Sequence, residues 1–357
     1  MFLLRSKVGE SVNMLKESQV YLCIFFLLAF GILYEFSLEP GCFFSCKPVA
    51  KQLVIPQDVL SQGRSIIFLE TTDHLQPPPL VLCSVESAAR IYSDRPIIFF
   101  MQGLNNSTMI DFKLTSPSLS FLSAMKNVFL FPLEMDILFQ DTPLFQWYHQ
   151  VNATQEKNWV YIISDAIRLA MVWKYGGIYM DTDVISIRPI PVANFLAAQS
   201  SQFSSNGILG FQRHHWFLWD CMVDFVQHYN GAIWGNQGPH LITRVLKRLC
   251  NLTDFNNVED QTCHNISFLH PQRFYPIPYT LWHKYYEVWD SKPDFDESYA
   301  LHLWNFMNRK EKRNVIIGSN ALVENLFRTH CPTTYQSLIQ AAQGSKQMSQ
   351  NKTSPLW

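Results

Sequence analysis

Asp181 and Asp183 stand two residues apart at the end of a short apolar run, Tyr175-Gly176-Gly177-Ile178-Tyr179-Met180. If that run is a strand, positions i and i+2 face the same way, with Cα atoms ~6.6 Å apart. Both carboxylates then act on one small volume. A hard divalent cation bridging a diphosphate needs that arrangement, with protein oxygens on one side and phosphate oxygens on the other. The stretch reads as a metal and nucleotide-diphosphate site. The bland reading is a solvated turn after a strand. Asp165 and Arg168 favour the first, because they lie three apart on one face of the preceding helical stretch and could meet the hydroxyls of a polar ligand.

The elements that must position these groups are legible upstream. Ser65 to Glu70, Pro96 to Met101 and Val128 to Leu133 are apolar runs of strand length, as in a sheet buried on both faces. Leu80 to Ile91 separates the first two as a helix, and this alternation predicts parallel α/β layers. A further helix runs to Tyr175, with Ser164 or Asp165 as its cap and Gly176 as its stop. Phe195 to Gln199 and Gly207 to Phe211 read as short strands, and Phe217 to His228 and His240 to Cys250 as helices. In Asn236-Gln237-Gly238-Pro239, Gly238 permits an unusual turn and Pro239 suits a first helical position. This is a helix-opening turn, or a loop that puts Gln237 or Asn236 beneath a reacting carbon; Asn206-Gly207 is a weaker candidate for the same wall. The tryptophans cannot be ranked one by one: most belong in the core, and one or two suit a platform for a sugar.

The chain has 357 residues, 48% hydrophobic and 16% charged, enough for a sizeable core, and its net charge of −1 gives no reason to expect nucleic acid. Val20 to Tyr34 is an uninterrupted apolar run, preceded by Arg5, Lys7 and Lys16 and followed by Glu35 and Glu39. We read it as an uncleaved signal anchor with a cytosolic N-terminus and a luminal remainder; the alternative is a cleaved signal peptide. The expected organisation is a cytosolic tail (1–19), a transmembrane helix (20–34), a stem (35–63), a catalytic domain (64–335) and a polar, disordered tail (336–357). Sequons at Asn105, Asn106, Asn152, Asn251, Asn265 and Asn351 all follow the apolar run, in keeping with glycosylation in a lumen. None of the 8 cysteines forms a Cys-x-x-Cys pair, which argues against zinc; Cys250 and Cys263 flank a polar segment and are the disulfide candidate in an oxidising compartment.

Ser164-Asp165-x-x-Arg168 followed by Gly176-Gly177-x-Tyr179-x-Asp181-x-Asp183 resembles the donor site of retaining glycosyltransferases with a DXD motif. Phe68-Leu69-Glu70-Thr71, the stretches Cys83 to Ala89 and Ile233 to Pro239, and Phe274-Tyr275-Pro276-Ile277 narrow the resemblance to the α-1,4-glycosyltransferase group (family 32 type). Asp181 to Pro191 and Ile266 to Arg273 are most similar to its N-acetylglucosaminyl-transferring members. The resemblance implies a GT-A-like domain, a Rossmann-like mixed sheet flanked by helices, and the cofactor Mn²⁺. It places Asp183 on the metal, Asp181 on the ribose or the metal's water shell, and Asp165, Arg168 and Tyr179 at the donor. His302 and Trp304 match a His-x-Trp element that completes the metal shell and closes over the pyrophosphate. Asp181, Asp183, Gln237 and Asn236 are the catalytic candidates. The implied reaction moves N-acetylglucosamine from UDP-N-acetylglucosamine, in α-1,4 linkage, to terminal β-galactose of mucin-type O-glycans. The implied setting is the Golgi membrane in single-pass type II topology, with a homodimer as a further candidate. The alternatives are a UDP-galactose-dependent α-1,4-galactosyltransferase on lactosylceramide-type glycolipid and a non-catalytic luminal glycan-binding protein. A haloacid-dehalogenase type phosphatase, with Asp181 as nucleophile, would need a downstream Gly-Asp-x-x-x-Asp pair that we do not find.

Overall fold

A computed structural model of the chain describes residues 56–105, 116–291 and 293–351, with side chains to residue 344. The expected membrane segment 20–34 lies outside the described residues, and among those described no helix is long and apolar enough to cross a membrane.

The order begins with helix α1 (Pro56–Leu60), strand β1 (Ile66–Glu70), α2 (Pro79–Ile91) and β2 (Ile97–Met101). Then come α3 (Pro117–Ala124), β3 (Val128–Pro132), α4 (Met135–Phe139), α5 (Leu144–Gln150) and α6 (Trp159–Tyr175). Next are β4 (Gly177–Met180), β5 (Val184–Ser186), β6 (Phe195–Ser200), β7 (Phe203–Phe211), α7 (Trp216–Gln227) and α8 (Pro239–Leu249). The chain continues through β8 (Gln261–Cys263), β9 (Ile266–Leu269), β10 (Ala300–His302), α9 (Asn305–Asn308), α10 (Leu322–His330) and α11 (Pro332–Asn351).

Eight strands form one mixed sheet in the order β3-β2-β1-β4-β7-β6-β9-β8. β1 pairs in parallel with both β2 and β4, so Ile66, Ile67 and Phe68 are fully buried and the run is continuously apolar. The chain leaves β1 toward β2 and returns on its other side as β4. This change of direction opens a crevice beyond the carboxyl ends of β1 and β4, the usual ligand position in such sheets. β7 then runs antiparallel to β4, which makes the sheet mixed as expected.

Two glycines set the step from α6 into β4. Gly176 ends the helix at φ 69°, and Gly177, at φ 102°, lies where a Cβ would come 2.3 Å from the Ser65 carbonyl oxygen. A side chain at Gly177 would force β4 away from the segment leading into β1.

A small second sheet pairs β5 antiparallel with β10, His302 opposite Val184. This ladder carries a segment 118 residues downstream, counted from Val184 to His302, to the end of the acidic motif.

Three boundary expectations change. Val59 and Leu60, assigned to the stem, are buried in α1, so the fold begins before residue 64. α6 starts at Trp159, not at Ser164, because Ile162 and Ile163 are already buried helical residues. Ser164 and Asp165 therefore sit inside the helix instead of capping it. The polar tail is helical to Asn351. Two ties at its start hold it: the Glu86 carboxylate on α2 accepts from the Thr333 and Thr334 backbone N–H groups at 2.9 and 2.8 Å, and Cys83 is bonded to Cys331. Cys250–Cys263 is a disulfide as expected, and Cys221 is free and buried.

The Cys83–Cys331 bridge closes a loop of 248 residues. Cys331→Ser is expected to lower unfolding free energy by about 2–5 kcal/mol, read by urea denaturation of the oxidised protein. An unchanged midpoint would assign the docking of α11 to Glu86 alone.

Candidate donor and metal site

Asp181, Thr182 and Asp183 form a turn between β4 and β5 rather than a strand end. Their convergence thus comes from the turn and from the β5–β10 ladder, not from strand alternation. The Asp183 carbonyl accepts from Leu303 N–H at 2.9 Å, and its Oδ2 accepts from Asn305 N–H at 2.7 Å. Trp304, between these two donors, takes a left-handed conformation (φ 56°) that swings the backbone onto the carboxylate.

His302 faces both acidic residues. Its Nε2 lies 3.3 Å from Asp183 Oδ1 and 3.6 Å from Asp181 Oδ2. Trp304 N–H donates to Nδ1 at 3.3 Å, which leaves Nε2 turned to the carboxylates. Asp181, Asp183 and His302 bring ligand atoms within 4.8 Å of one another, the one such His/Cys/Asp/Glu group among the described residues. A mixed oxygen and imidazole set suits a first-row divalent ion. Gly207 clears the space: a Cβ there would lie 2.6 Å from Asp181 Oδ2 and 3.3 Å from His302 Nε2.

Behind the triad, Arg168 brackets the acids. Its Nη1 donates to the Asn206 carbonyl at 2.8 Å and lies 3.1 Å from Asp181 Oδ1. Its Nε and Nη2 donate to the Ser164 carbonyl and hydroxyl, and Nη2 is 3.5 Å from Asp165. The Tyr179 ring lies under the guanidinium at 4.6 Å, while its hydroxyl donates to Asp181 at 2.5 Å. The Arg168 donors are thus taken up by protein acceptors. The residue positions Asp181 and Asp165, and it does not reach out as a free sugar contact.

The charges follow from burial and pairing. Burial pushes the Asp165 carboxyl up to about 6, against the pull of Arg168 and of the Asn206 amide, which donates to it at 2.7 Å. Burial also raises Asp183, and the like charge of Asp181 adds to it. Asp181 is lowered in spite of burial, because Arg168 and His302 stabilise its anion. Burial would lower His302, yet the facing Asp183 and Asp181 raise it. The paired acids thus favour a proton on His302 Nε2, and a divalent ion would take the place of that proton.

These groups line a cavity of about 850 Å³ together with Leu69 to Thr72, Tyr161, Asn206, Trp234, His240, Trp304 and Phe306. Trp304 donates from its indole to the Ile277 carbonyl at 2.8 Å and packs on His302 at 4.5 Å, so it backs the triad.

Gln237 and Asn236 do not reach the cavity. Gln237 is buried, its amide donating to the Phe225 carbonyl at 2.8 Å and accepting from Asn230 N–H and from Asn236. Asn236 also donates to the His228 carbonyl at 3.1 Å. Their amides hold the turn that opens α8, so the catalytic expectation is replaced by the structural one. The wall belongs to Asn206 and Gly207, and Gly238 packs behind it, where a Cβ would lie 2.6 Å from Asp165 Oδ2. The cavity face of Phe203, His240 and Phe306 carries no motif and is found only from the fold. Of the sequons, Asn105, Asn152, Asn251 and Asn265 are exposed; Asn106 and the side chain of Asn351 lie outside the described residues.

Comparison with known proteins meets this geometry from outside. The glycosyltransferase sugar-binding region containing the DXD motif matches residues 78–202, and the alpha 1,4-glycosyltransferase conserved region matches residues 210–338. Human alpha-1,4-N-acetylglucosaminyltransferase is 60% identical over 332 residues, 93% of this chain and 97% of that protein. Lactosylceramide 4-alpha-galactosyltransferase of Mus musculus is 38% identical over 310 residues, 85% of this chain and 82% of that protein. Among solved structures, the PaToxG glycosyltransferase superposes with a TM-score of 0.41 at 17% identity, over 52% of this chain and 68% of that one, too loosely to carry the fold assignment. The chain belongs to the alpha-1,4-glycosyltransferase family, and it is a glycosyltransferase.

Gly207→Ala is expected to push Asp181 off His302 and weaken divalent-cation binding by about tenfold or more, with little loss of thermal stability. Calorimetric titration with Mn²⁺ checks this. Wild-type affinity in the variant would remove Asp181 from the metal set.

Proposed function

We propose that the chain transfers N-acetylglucosamine from UDP-N-acetylglucosamine, in α-1,4 linkage and with retention, to terminal β-galactose of mucin-type O-glycans, using Mn²⁺ in a GT-A-type domain. The observation that carries this reading is the meeting of Asp181, Asp183 and His302 in one cavity with Asp165 and Asn206. The 60% identity to a named N-acetylglucosaminyltransferase supports the choice of donor sugar over galactose, whose transferases are 38–40% identical. An intact acidic site weighs against a protein that only binds glycans.

In this reading Asp183, Asp181 and His302 would hold the cation, which when bound would supply Lewis-acid relief of the charge on the departing diphosphate. Residues at the carboxyl end of β1, from Leu69 to Thr72, receive the nucleotide. Asp165 accepts from a hydroxyl of the transferred sugar, and the Asn206 amide fixes its direction. Arg168 holds Asp165 and Asp181 before the donor arrives, so little reorganisation is needed in the transition state.

The cavity carboxylates are Glu70, Asp165, Asp181 and Asp183. Two are in the triad, Glu70 accepts from the Thr72 N–H and hydroxyl, and Asp165 is held by Asn206. None stands free as a nucleophile, which supports a same-face displacement: the bond from C1 to the phosphate oxygen breaks, the acceptor O4 bonds to C1, and its proton passes to the phosphate oxygen. We further propose a type II Golgi membrane setting, on the apolar run 20–34 and the sequons beyond it.

A panel of UDP-sugars with a β-galactoside acceptor and linkage analysis tests the reading; an α-1,4-linked N-acetylglucosamine product is expected. Preference for UDP-galactose would overturn the donor assignment. Asp183→Ala is expected to cut transfer by about 10²-fold or more while the thermal midpoint stays within a few degrees of wild type, and full activity in that variant would dismiss the metal role.

A further inference from the structure

Beside the cavity mouth lies a set of aromatic rings that neither the triad nor the donor contacts use. Trp234 is 51% exposed, Tyr161 45% and Tyr279 46%, and all three line the cavity. Exposure on this scale for three neighbouring aromatics marks a binding surface more than a core edge. Trp234 stacks on Phe306 with centroids 5.1 Å apart and planes at 24°. The Arg309 guanidinium lies over the same Phe306 ring at 3.8 Å, and Tyr161 meets its edge at 5.2 Å. Phe306 is thus held by three neighbours, and it braces one face of Trp234, which stays 51% exposed.

The chain places these rings at the sugar end of the cavity, not the nucleotide end. Trp234 precedes by four residues Gly238, which lies against Asp165 and Asn206. Tyr161 stands one helical turn before Asp165 on α6. Phe306 follows Asn305, whose N–H holds Asp183.

We infer that the open face of Trp234, braced by Phe306, is the acceptor subsite and takes the apolar face of a terminal β-galactoside; this rests on the transfer reaction proposed above. Galactose carries C–H groups at C3, C4 and C5 on one face, and its axial O4 projects from the other. Stacking that C–H face on an indole buries apolar surface and turns O4 away from the ring, free to reach a donor carbon held by Asp165. Glucose, with an equatorial O4, offers no such separation. The platform therefore selects both the sugar and the hydroxyl that reacts.

The test uses Trp234→Ala and Trp234→Phe in the full-length protein. With an O-linked β-galactoside acceptor, the expected result is an acceptor KM raised about tenfold or more in Trp234→Ala and partly restored in Trp234→Phe. UDP release from the donor without acceptor should stay within about twofold of wild type. An unchanged acceptor KM, or a parallel fall in acceptor-free UDP release, overturns the platform. Saturation-transfer NMR with methyl β-galactoside reads the same contact without catalysis, so it decides the platform even if the wild type transfers no sugar. H3, H4 and H5 are expected to saturate most strongly, and Trp234→Ala to abolish the signal. Equal signals in wild type and variant would also sink the proposal.

Discussion

Like-charge crowding is the constraint on which the site is built. Two carboxylates, Asp165 and Asp183, are buried and a third, Asp181, is half-buried beside them, an arrangement that costs several kcal/mol unless each anion is paired. Arg168 serves two of them at once and is itself fixed by Ser164 and by the Asn206 carbonyl. His302 serves Asp181 and Asp183 on the other side, and the Asn305 N–H supplies Asp183 with a further partner. Without these counter-groups the acids would take up protons and lose their use as cation ligands.

That pairing explains features of the fold that look unrelated in the chain. β10 exists as a three-residue strand paired to β5, and its terminal residue is His302. The left-handed Trp304 turns the next backbone N–H back to Asp183. Gly207 and Gly238 remove the two side chains that would collide with Asp181 and Asp165. Each feature costs conformational freedom or strain, and each is placed within contact of an anion.

The sheet and the acidic motif were legible because their signals are local. Continuous apolar runs mark β1, β2 and β3, and Gly176-Gly177 marks the stop of α6 and the start of β4. Cys250–Cys263 could be guessed from two cysteines bracketing one polar segment. Cys83–Cys331 could not, because its partners are 248 residues apart and it is the packing of α10 and α11 on α2 that brings them together. The misreading of Asn236 and Gln237 has a clear cause: polar side chains beside a glycine turn look the same in sequence whether they face a ligand or the turn's own carbonyls. Here the Phe225 and His228 carbonyls claim them. The extent of α11 was missed because its docking lies in a buried acid on α2, Glu86, far from the polar stretch being read.

The bridge from Cys83 to Cys331 also bears on how the chain comes to be made. Its first cysteine emerges from the ribosome long before its second, with most of the sheet between them. During that interval Cys83 is a reactive thiol without its native partner, while Cys221, Cys250 and Cys263 appear in turn as wrong ones. The neighbours of Cys83 on β1 and β2 can fold around it and shield it before those arrive. Synthesis order thus sets a kinetic demand on the early strands, that they assemble before the middle cysteines are available for exchange.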